Sequence, residues 1–159
     1  MPNASRRRLR LDEFVPYRLS VLTNTVSAAI AGAYAERFGL SIPEWRVLAV
    51  LALEPGLSAA TVAERTAMDK VAVSRAVSGL LRTRRLVRGF ANSDKRRSVL
   101  RLSAEGEQVY WRVVPFARRY EQRLLADLTR SQREQLDRLL DHLHARALAL
   151  GPVIPDAND

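Results

Sequence analysis

Between Leu57 and Gly106 the chain sets out two short helical patterns, a turn, and two alternating apolar stretches around a basic loop, and that order leaves it little freedom. Ser58 is placed to cap a helix running through Thr66, with Val62 facing inward one turn on and Ala63 beside it. A turn is expected at Ala67 and Met68. Asp69 then caps a second helix, its carboxylate accepting from free amides and complementing the positive helix end. In that helix Val73, Ala76, Val77, Leu80 and Leu81 recur at helical spacing and form the buried stripe. Two strand-like pieces follow, 86–91 and 98–103, joined by the cationic loop 92–97. Helix, turn, helix and a hairpin with a basic tip make a winged helix-turn-helix, so the expected class is mainly α with a small β-wing.

The second helix leaves Lys70, Val71, Ser74, Arg75 and Ser78 off its apolar stripe. Short polar side chains that reach base edges, with cations that hold phosphates, are what a helix needs to read double-stranded DNA. Lys70 and Arg75 suit a guanine edge or a phosphate, and Val71 suits a thymine methyl. The same composition also describes a small amphipathic helix with a solvated face, and the wing tips the balance.

Asp94 to Gly106 fits the pattern D-x-R-x-x-x-(apolar)-x-L-(S/T)-x-x-G, with Arg96, Leu102 and Ser103 in register. On these residues the chain resembles the MarR family of bacterial transcription regulators. The resemblance implies that Asp94 holds the wing arginine in shape and that Arg96 enters the minor groove, with Lys95 and Arg97 beside it. A narrow A·T-rich minor groove has an enhanced negative potential that attracts an inserted arginine. An ordinary solvated hairpin turn is the competing account.

The flanks present this head. Residues 14–38 are a long helical candidate with Pro16 in its first turn and Gly39 at its end. Ser41 to Glu44 is a capping box opening a helix through Leu53, and Pro55-Gly56 closes it. Ser103 is placed to cap a long helix to about Leu128, bent at Pro115. Ser131 to Glu134 matches a second capping box, with Leu136, Leu139, Leu140, Leu143, Ala147 and Leu150 on the apolar side of the last helix. The expected organisation is a flexible basic arm over 1–13, a dimerisation helix over 14–40, the winged head over 41–106, dimerisation helices over 107–150 and a loose tail over 151–159. The resemblance spans roughly 14–148 and implies a two-fold homodimer, hence a pseudo-palindromic operator with half-sites roughly 34–36 Å apart.

Members of the family often hold aromatic acids or phenolic compounds between the dimer helices and the winged head. The candidates here are Tyr17, Arg18, Asn24, Tyr34, Trp45 and Arg46. An arginine pairs with a carboxylate and an aromatic side chain walls a ring. Core packing explains Trp45 equally well, and Arg46 equally braces the wing or binds phosphate.

Composition excludes other classes. Lys and Arg outnumber Asp and Glu by 26 to 17, favouring an anionic partner. There is no cysteine, so disulfides, thiolate metal sites and cysteine redox sensing are closed to this chain. His142 and His144 are two apart and diverge on a helix, which argues against a metal site. No nucleophile elbow, phosphate-binding glycine loop or dinucleotide fingerprint is present, so neither an enzyme nor a cofactor is expected. No apolar run is long enough to cross a membrane and no apolar secretory segment opens the chain, so a cytoplasmic protein is expected. The function these residues point to is a ligand-responsive repressor; a non-specific, architectural DNA binder is the alternative.

Overall fold

The structure, a computed structural model, describes residues 8–91 and 94–151, and for residues 91 and 94–97 the backbone alone. The chain divides into two compact units, Met1–Pro115 and Phe116–Asp159.

In the first unit the second, third and fourth helices each begin where a side chain accepts a free amide, whereas the first helix has no side-chain cap. α1 (Val15–Phe38) carries proline in its first turn and ends at Gly39, whose φ of 57° is the left-handed geometry that glycine adopts without strain. α2 (Ile42–Leu53) opens on a complete capping box: the Ser41 amide donates to Glu44 Oε2 at 2.8 Å and the Glu44 amide to Ser41 Oγ at 3.3 Å. α3 (Ala59–Thr66) is capped by Ser58, and α4 (Lys70–Arg82) by Asp69, whose carboxylate accepts from the Ala72 amide at 2.8 Å. The stripe expected on α4 is the buried one, with Val73, Ala76, Val77 and Leu80 at 4% exposure or less and Leu81 half-buried. These side chains meet Val47, Leu48 and Leu51 of α2 and Val62 of α3, all buried, and this three-helix junction is the core.

The turn between α3 and α4 is made by Ala67, a non-glycine residue at φ 51°. A Cβ in the left-handed region is strained by roughly 1 kcal/mol. Ala67→Gly is therefore expected to stabilise the protein by about 0.5 kcal/mol, the relief outweighing glycine's extra chain entropy. A lower midpoint in urea unfolding would show that Ala67 is not strained.

β1 (Leu86–Ala91) and β2 (Asp94–Leu102) form a two-stranded antiparallel sheet. Register runs from Leu86 opposite Leu102 to Phe90 opposite Ser98, then jumps so that Ala91 faces Asp94. The jump explains why β2 starts at Asp94 rather than at Ser98: pairing resumes beyond a break that interrupts the apolar alternation. Leu57, just before α3, bridges Leu100, its carbonyl accepting from the Leu100 amide at 2.8 Å, which ties the wing to the helix pair.

α5 (Ala104–Leu124) starts at the foot of the wing, contains Pro115, and ends four residues short of the expected Leu128. The reason lies in Arg133, which donates to the carbonyls of Leu125 at 2.6 Å and Leu128 at 3.2 Å, satisfying a turn that would otherwise remain helical. α6 (Arg130–Leu150) is capped by Thr129 and not by Ser131, since Gln132 accepts from the Thr129 amide at 2.8 Å. No residue of α6 is buried.

Candidate nucleic-acid interface

Asp69 directs α4 so that its buried side meets α2 and α3 while Lys70, Val71, Ser74, Arg75 and Ser78 all stand in solvent. Val71 is 59% exposed one position into the helix, an apolar side chain largely open to solvent. The five residues thus share one accessible surface, the one assigned to them by spacing. Asp94, Lys95, Arg96 and Arg97 fall in β2, and their side chains lie outside the described residues.

Two grooves flank α4. One, of about 670 Å³, lies between α4 and the start of α2 and is lined by Arg75 and Arg82 together with the Glu44 carboxylate. The other, of about 280 Å³, lies between α4, the first residues of α3 and β1. Helix packing beside the first groove is close: a Cβ at Gly79 would meet the Glu44 carboxylate, so α4 crosses the α2 capping box where only glycine fits freely.

The wing is held by the last part of the motif that marks it. Ser103 Oγ donates to the Arg84 carbonyl at 2.6 Å and accepts from the Gly106 amide at 3.0 Å, while the Ser103 amide donates to the Arg85 carbonyl at 3.1 Å. A Cβ at Gly106 would run into that same Arg85 carbonyl oxygen. The serine and glycine of the pattern are therefore a lock between the α4–β1 turn and α5. Arg85 closes the other side, its guanidinium donating to the carbonyls of Gly39 at 2.7 Å and Phe38 at 2.9 Å. Spacing gave no hint of Arg85, because its partners lie 46 and 47 residues away.

The ligand candidates separate into two groups. Tyr17, Arg18 and Asn24 are exposed on the first half of α1, where Arg18 lines a shallow groove of about 310 Å³ with Val15, Leu19 and Leu22. Tyr34 is buried, and its ring meets Trp45 edge-on at 5.8 Å; Trp45 in turn stacks on Tyr110 of α5 at 5.7 Å. Burial pushes the Tyr34 phenol above its usual pKa. Seventeen residues of helix, about 25 Å, separate Tyr17 from Tyr34, so one small molecule does not touch both within this chain. Arg46 is half-buried on α2. Tyr110 belongs to the aromatic cluster although no local pattern marks it.

Comparison with known proteins agrees with this geometry. A sequence profile of the MarR family matches residues 38–97. An HTH-type transcriptional repressor of Mycobacterium tuberculosis is 30% identical over 131 residues, covering 82% of this chain and 91% of the relative. A repressor of Mycobacterium bovis matches to the same extent. Among solved structures, a MarR/EmrR family transcriptional regulator from Acinetobacter sp. ADP1 superposes with a TM-score of 0.81 at 27% identity, covering 87% of this chain and 97% of that one. The PcaV regulator of Streptomyces coelicolor, solved with its natural ligand, gives 0.74 at 27% identity, covering 86% and 96%. These relatives regulate transcription and are not enzymes, and the chain belongs to the MarR family of transcriptional regulators.

Proposed function

We propose that the protein is a homodimeric repressor that binds a pseudo-palindromic operator and is released from it by a small aromatic acid. The observation that carries this reading is the division of α4 into a face wholly committed to the core and a face of two cations, two serines and a valine wholly open to solvent. Lys70 and Arg75 take guanine edges or phosphates, Ser74 and Ser78 supply short hydrogen bonds, and Val71 packs on a thymine methyl. Arg96, held by Asp94 and flanked by Lys95 and Arg97, enters the minor groove.

Two apolar surfaces support the dimer. Val15, Tyr17, Leu19 and Leu22 are exposed on α1, and Leu139, Leu140, Leu143, Leu148 and Leu150 on α6. A helix draws most of its stability from packing an apolar face, and no side chain of α6 is fully buried. Arg18 beside apolar neighbours supports an anionic ligand with a flat apolar body, and the PcaV relative was solved with a ligand bound. Occupancy acts through differential affinity for two spacings of the reading heads.

Selection from a random duplex pool at near-physiological salt tests the reading. The expected result is enrichment of one palindrome with half-sites about 10 base pairs apart. Binding without enrichment would make the protein an architectural DNA binder, and no binding would end the proposal.

A further inference from the structure

The groove between α4, α3 and β1 is lined by cations with no carboxylate, whereas its neighbour across the helix carries both. Lys70, Ser74 and Ser78 line it from α4, Ala59 and Ala60 from the first turn of α3, and Arg88 from β1, with no acidic side chain among them. The groove on the α2 side carries the Glu44 carboxylate, which repels an anion.

Strand geometry explains why Arg88 is there. Side chains alternate along a strand, so Arg88 shares a face with Leu86, which is buried at 2% exposure against the helices. At the next position on that face Arg88 lies opposite Leu100, itself buried at 2% exposure, while the arginine is exposed with no ion-pair partner among the described residues. The groove floor comes from the buried residues Val73 and Val77, so its shape is fixed by the core. The first-turn amides of α3, at Ala59 and Ala60, have no intrahelical acceptor and add partial positive charge at the same wall.

We infer that this groove seats one backbone phosphate of the duplex, held between the reading helix and the wing, with Arg88 as its principal cation and Lys70, Ser74 and Ser78 as further donors. The inference rests on the DNA-binding reading above and adds a contact and a residue to it. A phosphate-clamping residue sets the register of the protein on the helix and carries no base information. Arg88 therefore contributes equally to every sequence bound, unlike Arg75, which lines the other groove and is placed to take a guanine edge.

The test compares the wild-type protein, Arg88→Ala and Arg88→Lys on the selected operator and on a scrambled duplex across a salt series, after thermal unfolding has shown that the variants fold. Arg88→Ala should weaken binding to both duplexes by about the same factor, on the order of tenfold per protomer. Its log–log salt dependence should flatten by about 0.9 for each phosphate lost. Arg88→Lys should retain the wild-type slope, because it keeps the charge. An unchanged slope in Arg88→Ala, or a loss confined to the operator, overturns the inference while leaving the DNA-binding reading in place. A wild-type protein that binds neither duplex overturns both. If Arg88→Ala unfolds, Arg88→Gln gives the same comparison with the side-chain bulk retained.

Discussion

Gly106→Ala is expected to cost about 3 kcal/mol of folding stability, the upper part of the range for overpacking a fixed site. The added methyl would collide with the Arg85 carbonyl oxygen, a backbone atom with little room to retreat. That oxygen accepts from the Ser103 amide, and the Arg85 amide itself donates to the Leu80 carbonyl at 2.8 Å, so moving it disturbs both the end of α4 and the start of the wing. For a chain of this size the melting temperature should fall by roughly 6–12 °C. Urea unfolding with an unchanged m-value would attribute the loss to the native state. Gly79→Ala is the control: its methyl meets only the end of the Glu44 side chain, which can rotate away, so a loss nearer 1 kcal/mol is expected. Equal costs at the two glycines would refute the lock at the wing's foot.

The second large effect concerns association. Leu139→Glu combined with Leu143→Glu should convert the protein to monomers and lower operator affinity by on the order of 100-fold or more, the gain that linking two binding modules ordinarily supplies. Both leucines are exposed, at 52% and 43%, so charge there removes little packing from the isolated chain and should leave its helix content nearly unchanged. Buried in a shared apolar face, the same two carboxylates would each lose hydration without a partner. Sedimentation and operator binding, measured on the same samples, check the expectation. A variant that remained dimeric with full affinity would remove α6 from the interface.

Local chemistry made most of the architecture legible. Ser41 with Glu44, Ser58, Asp69 and Gly39 each act within three or four residues of themselves, and each sets a helix end where its residue type places it. The misplaced boundaries have non-local or degenerate causes. Thr129-x-x-Gln132 and Ser131-x-x-Glu134 both satisfy the same cap pattern, and Glu134 instead pairs with Arg130 at 2.9 Å. The end of α5 depends on Arg133, eight residues beyond the carbonyl of Leu125 that it satisfies. The exposed face of α4 was visible from spacing alone, because the apolar residues that mark its buried side recur along the same helix. Arg88 was hidden for the opposite reason: its position becomes informative only when β1 is laid against α4. The pocket candidates divided because Tyr34 and Trp45 are recruited to a cluster completed by Tyr110, from a distant part of the chain.

Arg85 also has a mechanical meaning. By grasping the last carbonyls of α1 while its own carbonyl is pinned to α5 through Ser103, it welds three chain segments at one point. Loss of that one side chain would therefore release the end of α1 from the foot of the wing in a single step.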